Sequence, residues 1–310
     1  MISRNEYDLC LAWNWEYDAD FVELLEAACR ARDLSLLTVT TATLDSMLQA
    51  VDDRQIAFRV LYDRASDADE RFVQLVHRAR DCGAHRINSY ELARCAWDKA
   101  AMHQALSPVV PTPYTIILPS YAEQPDLPPL DLAALGDSFD VKPAHGGGGR
   151  GVVLRATSIE QVRLARQEYA ADTYLLQTHV VPIQVDDRLA WFRIISCMDR
   201  VFLCWWSPDS HVYTPVSAED RERYALSPLW SLVKTIGETC SLELFSSEVA
   251  LVASGDFVLV DYVNDPIDLR LQSRAVDGVP DSIVQAVAEE VAGFAARCCR
   301  TASQGSPPSG

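Results

Sequence analysis

The chain has 310 residues, of which 49% are hydrophobic and 23% are charged, and its formal net charge is −17. This length and composition indicate a globular protein of two or three modest lobes, and the negative charge argues against binding to nucleic acid or to an anionic membrane surface. The N-terminus lacks the apolar core of a signal peptide, and no apolar run reaches the roughly 18 residues of a membrane span. The nine cysteines include no Cys-x-x-Cys pair, which predicts a reducing cytoplasm without a zinc site or a disulfide framework.

The first part of the chain alternates between strand and helix patterns. Short apolar strands are predicted at residues 8–13, 34–40, 56–62 and 85–88, with apolar residues at helical spacing between them. This order predicts a parallel sheet with helices on its faces, in which ligands bind at the carboxyl ends of the strands. The segment has no Gly-x-Gly-x-x-Gly motif, so nothing marks it as a dinucleotide site.

The rest of the chain predicts antiparallel structure. One helix is expected over residues 89–105, and a small antiparallel unit follows it. From Ala190 onward, long apolar strands indicate an antiparallel sheet, and a closing helix is expected over residues 281–300. The last ten residues are small and polar, which predicts a disordered tail at 301–310.

The most informative stretch is residues 140–152, with the sequence DVKPAHGGGGRGV. Glycines tolerate positive φ and allow a backbone to approach a ligand closely, and beside a fixed cation they are typical of polyphosphate sites. An ordinary tight loop between two strands is the alternative. Of the 27 basic residues only Lys99, Lys142 and Lys234 are lysine, which favours a specific role for the lysine before the glycines.

Acidic residues interrupt two apolar strands near the end of the chain. Glu248 lies in SSEVALVA, and Asp261 lies in FVLVDYVNDP, followed by Asn264. The turn ASGD between the strands predicts a hairpin that would bring these three residues together. Carboxylate and amide oxygens without His or Cys suit Mg²⁺. The alternative, charged residues on a solvent face, is disfavoured because acids among apolar neighbours are costly unless they are paired or bind a ligand.

The order of these parts resembles the ATP-grasp superfamily over roughly residues 88–270. The similarity rests on Lys99, PTPYTIIL, VKPAHGGGGRGV, YLLQTHVVP, FSSEVAL and FVLVDYVNDP, which follow one another in this order. The resemblance implies an α/β fold in which an N-terminal parallel α/β lobe is followed by two α+β lobes that sandwich ATP. The implied boundaries are an N-terminal domain at 1–88, a central lid subdomain at 89–180, a C-terminal subdomain at 181–300 and the tail at 301–310.

The resemblance also implies roles for single residues. The two lysines would hold the α- and β-phosphates, the glycines would close over the triphosphate, and Gln177 would face the adenine amino group beside a hinge at residues 178–180. Gln184 falls near the ribose site, and His145 is expected to touch phosphate or substrate, with a turn-stabilising role as the alternative. The implied ATP-binding residues are Lys99, Lys142, His145, Gly146, Gly147, Gly148, Gly149, Gln177, Thr178, His179, Val180 and Gln184. Arg193 and Lys142 are the implied catalytic residues, and the implied Mg²⁺ ligands are Glu248, Asp261 and Asn264.

One departure from the family pattern concerns the metal ligands. Asp261 and Asn264 are three residues apart, and strict alternation along a strand would place them on opposite faces. Either a bulge restores the geometry, or Asp265 or Asp268 supplies the second ligand.

By this resemblance the protein is an ATP- and Mg²⁺-dependent ligase that joins a carboxylate to an amine through an acyl phosphate. Arg270 and Arg274 would hold the carboxylate substrate, with structural pairing to the chain's own acids as the alternative. A kinase and a non-catalytic nucleotide-binding regulatory protein are the alternative functions. The expected partners are small-molecule or peptide carboxylate and amine substrates. The oligomeric state stays open, with a homodimer as one alternative.

Overall fold

The computed structural model describes residues 4–304, and its first sheet is parallel, as predicted. Four strands form this sheet: β1 (Asn5–Trp13), β2 (Leu36–Val39), β3 (Ile56–Arg64) and β4 (His85–Ile87). They lie in the order β2-β1-β3-β4. The connecting helices are α1 (Ala19–Arg30), α2 (Leu44–Asp52) and α3 (Val73–Asp81), with short 3-10 turns at Glu16–Asp18 and Glu70–Phe72. Each helix buries one apolar stripe on the sheet, which is why the chain alternates strand and helix patterns.

Two helices replace the single helix predicted over residues 89–105. The structure has α4 (Tyr90–Ala96) and α5 (Lys99–Leu106). The Asp98 side chain accepts hydrogen bonds from the backbone nitrogens of Ala100 and Ala101, at 2.8 and 3.1 Å, and so starts a new helix. This cap makes Lys99 the first residue of α5 rather than a residue inside a long helix.

The second sheet is antiparallel and carries the glycine-rich stretch between two of its strands. Its strands are β5 (Thr115–Leu118), β6 (Phe139–Pro143), β7 (Val153–Ala156) and β8 (Tyr174–Thr178), in the order β5-β8-β6-β7. A 3-10 turn at Leu132–Leu135 and the helix α6 (Ile159–Glu168) cover it. The glycines connect β6 to β7 at the edge of the sheet.

The third sheet is also antiparallel, and it follows a short hairpin of β9 (Gln184–Val185) and β10 (Arg188–Leu189). Its strands are β11 (Trp191–Cys197), β12 (Arg200–Trp206), β13 (Tyr213–Pro215), β14 (Leu244–Leu251) and β15 (Phe257–Asn264), in the order β13-β12-β11-β14-β15. Two helices follow β13 in the chain: α7 (Ala218–Arg223) and α8 (Pro228–Cys240). One face of this sheet packs on α8 and α5, and the other faces the first sheet.

The last helix, α9 (Asp281–Gln304), packs on α1 and on the first sheet. One continuous apolar core therefore joins the first sheet, α9 and one face of the third sheet. The helix continues past residue 300, the predicted end of the third subdomain, and the remainder of the predicted tail, 305–310, lies outside the described residues. No helix within residues 4–304 is both long and apolar enough to cross a membrane.

A buried ion pair ties the first sheet to the C-terminal part of the chain. Arg64, the last residue of β3, donates two hydrogen bonds to the Asp18 carboxylate, at 2.6 and 2.9 Å, and both side chains are 2% exposed. The same guanidinium donates to the carbonyl oxygen of Ile267 at 3.0 Å. Because Asp18 neutralises the arginine, Arg64 can sit in this apolar junction and hold the loop that follows β15.

Replacing Asp18 with alanine should destabilise the protein strongly. Asp18→Ala leaves the guanidinium of Arg64 buried and unpaired, which costs about 3–5 kcal/mol of unfolding free energy. Urea denaturation would measure this loss. The exposed Lys234–Glu238 pair, whose charged atoms are 3.8 Å apart, provides the control, and Glu238→Ala should leave stability nearly unchanged. Equal stability of Asp18→Ala and the unmodified chain would contradict this role of the buried pair.

Candidate active site

Charged side chains of the second and third sheets lie near one another. On β6, Lys142 lies two residues after Asp140 and therefore points to the same side of the strand. On the third sheet, Arg193 of β11, Glu248 of β14 and Asp261 of β15 are direct cross-strand neighbours. Burial raises the pKa of Glu248, and Lys142 is near enough for its charge to act against that rise. A lysine of the second sheet therefore lies close to carboxylates of the third.

A bulge in β15 brings Asp261 and Asn264 to the same side of the sheet. The pairs Glu248–Asp261 and Ser246–Asn264 are in register, so a step of two residues on β14 faces a step of three on β15. The Asn264 amide nitrogen donates to the Asp261 carboxylate at 3.0 Å. The sequence left two alternatives, a bulge or a second ligand from Asp265 or Asp268, and the structure contains the bulge. Glu248, Asp261 and Asn264 together are called the carboxylate row below.

Glu248 of this row forms an ion pair with Arg193 on the neighbouring strand β11. An Nη of Arg193 donates to the Glu248 carboxylate, and the guanidinium lies over the Trp206 ring, 5.4 Å from its centroid. Burial raises the pKa of Glu248, with Arg193 acting against this and Asp261 adding to it. Burial alone would lower the pKa of Arg193, but Glu248, Tyr213 and Asp261 together outweigh it and raise that pKa. Arg193 Nε is buried and has no hydrogen-bond partner within residues 4–304.

The carboxylate row has the chemistry of a Mg²⁺ site. It offers two carboxylates and, because the Asn264 nitrogen is used by Asp261, an amide oxygen, which are the hard ligands that Mg²⁺ prefers. Within residues 4–304 no three His, Cys, Asp or Glu side chains are grouped as a metal site. The metal would therefore need the amide oxygen, or oxygens of a bound substrate, to complete its coordination.

Lys99 contacts the glycine-rich loop directly. Its Nζ donates to the carbonyl oxygen of Gly146 at 2.5 Å, and its backbone nitrogen donates to Ala144 at 2.9 Å. Gly146, Gly148 and Gly149 have φ values of 99°, 63° and 71°. No atom lies within 4 Å of the position that a Cβ would take at any residue from 146 to 149. The loop is thus an open concave backbone beside an ammonium group, which suits a polyphosphate.

His145 is fixed by Asp172. The Asp172 carboxylate accepts from the His145 backbone nitrogen at 3.0 Å and contacts the ring Nδ1 at 2.8 Å. This geometry favours the turn-stabilising alternative for His145. Nε2, the other ring nitrogen, takes no part in this contact.

Gln177 is buried at the point where the two sheets meet. Its amide nitrogen donates to Thr115 Oγ1 at 3.1 Å and to the Tyr262 hydroxyl at 2.6 Å, and His103 contacts the same hydroxyl at 2.7 Å. The amide oxygen of Gln177 is buried and has no donor within residues 4–304. A buried acceptor without a donor is costly, so this oxygen fits a donor such as an amino group supplied by a ligand.

The strand β8 ends at Thr178, and the chain leaves the sheet after that residue. Thr178 donates its backbone nitrogen to Tyr114 at 2.9 Å. The His179 ring contacts Asp140 at 2.9 Å, so its side chain is already engaged, and Val180 is half-buried. Gln184 lies farther along in the exposed hairpin, where its amide nitrogen donates to Asp186 at 3.2 Å.

The arginines expected to bind substrate are occupied by acids of the chain itself. Arg270 pairs with Asp268 at 2.7 Å and with Asp277 at 2.9 Å. Arg274 lies 3.8 Å from Asp20. These contacts match the structural alternative. Asp268 lies beyond the end of β15, outside the register that aligns Glu248, Asp261 and Asn264.

Asp265 also lies apart from the carboxylate row. It lines a separate cleft together with Asp63 and Asp67 of the first lobe. Burial, to which the charges of these two aspartates add, raises the pKa of Asp265 to about 7.

The structure adds residues that the sequence did not single out. His103 lies one helical turn after Lys99, and Asp140 lies two residues before Lys142 on the same face of β6. Periodicity could have found both, because they share a face with a predicted site residue. Tyr262 could not be found in this way, since the bulge in β15 sets its direction.

Solved ATP-grasp ligases share the architecture of the whole chain. A RimK domain protein ATP-grasp from Sphaerobacter thermophilus is similar over 93% of this chain and 99% of its own, with a TM-score of 0.60 and 19% identity. The ATP-grasp ligase PsnB, in complex with a minimal precursor, Mg and ADP, is similar over 94% and 98%, with a TM-score of 0.62 and 14% identity. D-cycloserine synthetase DcsG is similar over 94% and 100%, with a TM-score of 0.54 and 18% identity. No protein-family model and no curated protein matches the sequence.

Two glycine substitutions should show whether the backbone conformation and close packing at Gly151 require a glycine there. At Gly151 φ is +70°, and a Cβ would lie 2.5 Å from the ring of Tyr169. Gly151→Ala should therefore cost about 1–2 kcal/mol of unfolding free energy. The matched control is Gly147→Ala, where φ lies outside the left-handed region and a Cβ meets open space. Chemical denaturation would compare the two variants, and equal stability would contradict the strain at Gly151.

Proposed function

We propose, from the premise that this chain has the ATP-grasp fold, that it is an ATP- and Mg²⁺-dependent ligase that joins a carboxylate to an amine. One observation supports the proposal: Lys142 lies close enough to Glu248 for its charge to act on that carboxyl, and Glu248 is the cross-strand neighbour of both Arg193 and Asp261. Cations on one wall and metal-binding oxygens on the other are what a Mg²⁺–triphosphate complex requires.

The nucleotide would lie between the second and third sheets. Lys99 and Lys142 would bind its phosphates, and the open backbone of residues 146–149 would close over them. The unpaired oxygen of Gln177 would accept a hydrogen bond from the adenine amino group, beside the hinge at residues 178–180. Gln184 would lie near the ribose, and His145, held by Asp172, would border the phosphates.

Mg²⁺ would be held by Glu248, Asp261 and Asn264. A divalent ion there supplies positive charge that neutralises the triphosphate and the developing negative charge. All three proposed ligands would bind the metal through oxygen atoms, which fits Mg²⁺. A typical zinc site would instead use thiolate or imidazole ligands.

The proposed reaction proceeds in two steps. In the first, a carboxylate oxygen of the substrate attacks the γ-phosphorus of ATP, the bond to the β-phosphate oxygen breaks, and ADP leaves. In the second, the amine nitrogen attacks the carbonyl carbon of the acyl phosphate, phosphate leaves, and the nitrogen loses a proton to give the amide. Arg193 would stabilise the transferring phosphoryl group through its unpaired Nε. No side-chain nucleophile is needed.

Small molecules and peptides are both candidate substrates. PsnB has been solved with a precursor peptide, and another structural neighbour is D-cycloserine synthetase DcsG, so both classes of substrate are candidates. We further propose that the first lobe, residues 1–88, contributes the substrate side of the site. Residues 89–180 would form the lid, and residues 181–300 would form the metal side.

Nucleotide binding should appear as thermal stabilisation that depends on the lysines of the cleft. At an ATP concentration of 100 times Kd, Mg²⁺-ATP should stabilise the chain by about 2.7 kcal/mol. Lys142→Met should abolish most of the rise in melting temperature. Lys234→Met, which changes a lysine on an exposed helix face, is the matched control and should respond like the unmodified chain. No rise in melting temperature with ATP in any variant would overturn the proposal.

The products should distinguish a ligase from the other functions. With ATP, Mg²⁺ and pooled amino acids, a ligase releases ADP and phosphate together with an amide, and hydroxylamine traps the acyl phosphate as a hydroxamate. A kinase leaves a stable phosphorylated product, and a binding protein releases no phosphate.

Turnover should also depend on the carboxylate row. Glu248→Gln should lower phosphate release about 100-fold or more, because it removes a charged metal ligand. Glu238→Gln, on the exposed face of α8, should leave the rate unchanged. A fully active Glu248→Gln variant would place the metal elsewhere.

A further inference from the structure

The Gln177 side chain is held by side chains from three other elements of the fold. Gln177 is 1% exposed and lies directly opposite Thr115 of β5. Its amide nitrogen donates to Thr115 Oγ1 at 3.1 Å and to the Tyr262 hydroxyl of β15 at 2.6 Å, and His103 of α5 contacts the same hydroxyl. The amide oxygen is buried without a donor within residues 4–304. A neutral amide can present either its oxygen or its NH₂ group to a ligand, so the orientation of this side chain decides what it can bind.

A backbone carbonyl fixes the direction of the bond between Gln177 and Thr115. The Thr115 hydroxyl donates its hydrogen to the carbonyl oxygen of Pro113 at 2.9 Å. A carbonyl can only accept and a hydroxyl has a single hydrogen, so the Thr115 oxygen can only accept from Gln177. A flipped amide would place its oxygen 3.1 Å from this hydroxyl oxygen, with no hydrogen between them. Thr115 therefore requires the NH₂ group of Gln177 on its side.

The Tyr262 hydroxyl favours the same orientation. It lies 2.7 Å from His103 Nδ1. Burial lowers the pKa of His103, which favours the neutral ring, and a neutral ring can accept the hydroxyl hydrogen at Nδ1. Thr115 is a further hydrogen-bond neighbour of this hydroxyl. Either neighbour can take the hydrogen of Tyr262, and in both cases its oxygen accepts from Gln177.

These contacts leave the amide oxygen of Gln177 as the group that a ligand would meet. Gln177 shares a side of the second sheet with Lys142, because its direct partner on β6 is Asp140, two residues before the lysine. Since the oxygen is buried, water does not readily replace a missing donor there. A ligand that brings an N–H group gains a hydrogen bond, whereas a ligand that brings an oxygen places two acceptors against each other.

We propose that Thr115 and Tyr262 set the base selectivity of the nucleotide site by holding Gln177 with its oxygen toward the base. The site then accepts a purine with an amino group at C6 and rejects a purine with a keto oxygen there. The proposal rests on the proposed function, since it concerns the nucleotide of that reaction. A carboxylate at position 177 would accept in either orientation, so only an amide needs this arrangement. Thr115 and Tyr262 are positioning residues, because they act through Gln177.

The matched probes are ATP and ITP, whose bases differ in the amino or keto group at C6 and the accompanying hydrogen at N1. Calorimetry would give the dissociation constants of their Mg²⁺ complexes, with no carboxylate or amine substrate present. The unmodified chain should bind ATP about 10- to 100-fold more tightly than ITP, as expected when a buried acceptor is left unpaired.

The double variant Thr115→Val/Tyr262→Phe removes both acceptors, so the amide can turn and offer its NH₂ group to a keto oxygen. Its affinity for ITP should rise, and its preference for ATP should fall about tenfold or more. Each single variant should shift the preference in the same direction. A general loss of structure would weaken both nucleotides alike, so the rise in affinity for ITP distinguishes the turned amide from structural damage.

Two control variants leave the orientation of Gln177 intact. Thr115→Ser keeps the hydroxyl and should keep the selectivity of the unmodified chain. Tyr174→Phe removes another buried tyrosine hydroxyl from the strand that carries Gln177, one that donates to the Ala165 carbonyl. It should keep the preference for ATP even where it lowers stability. Melting temperatures without nucleotide would show that each variant is folded.

The outcomes separate this proposal from the ligase function. Equal affinity of the unmodified chain for ATP and ITP would overturn the base selectivity and leave the ligase standing. The same holds if the double variant prefers ATP as strongly as the unmodified chain, or loses both nucleotides equally. If neither nucleotide bound to the unmodified chain, both proposals would fall together. Selective binding of ATP without formation of an amide or a hydroxamate would disprove the ligase and leave the base selectivity in place.

Discussion

The ion pair between Arg193 and Glu248 is the contact around which the candidate active site is arranged. Both side chains lie on central strands of the third sheet and are mostly buried, 12% and 20% exposed, so neither charge could remain there alone. Arg193 neutralises the glutamate when no metal is bound, and Glu248 keeps the arginine in place beneath the cleft. A metal or a phosphate would therefore enter a site whose charges are already paired and would exchange partners with it. Such a site is preorganised, because its charged groups are held in place before the ligand arrives.

The first lobe is fixed to the same part of the third sheet. Asn88, at the end of β4, exchanges hydrogen bonds with the backbone of Glu243 and Leu244 at the start of β14. Arg64 holds the carbonyl of Ile267, just beyond β15. The carboxyl edge of the parallel sheet is thus anchored by two contacts at one end of the carboxylate row, beyond the Ser246–Asn264 pair. A ligand bound at that edge would be held at a fixed position relative to the metal ligands, which is the geometric requirement for joining two substrates.

The sequence predicted features that depend on local patterns and missed those that depend on distant contacts. The glycine-rich loop and the acids of β14 and β15 could be identified, because each is encoded within a few neighbouring residues. The position of Asn264 could be recognised only as a conflict with strand alternation, since a bulge leaves no mark in the sequence. The pairing of Arg270 with Asp277 depends on how one loop folds. Asp63 and Asp265 line the same small cavity although they are about 200 residues apart, so no spacing rule could connect them.

Lys99 provides a further charged contact of the candidate site, to the glycine-rich loop. Its ammonium donates to the carbonyl of Gly146, at one end of an open loop. A Cβ added at any residue from 146 to 149 would meet no atom within 4 Å. Because the ammonium has three donors, a phosphate that binds Lys99 would not have to displace the Gly146 carbonyl. The charge that binds the ligand would then also hold this end of the loop beside it. One side chain would thus join the loop to the phosphate directly, and no longer pathway is required.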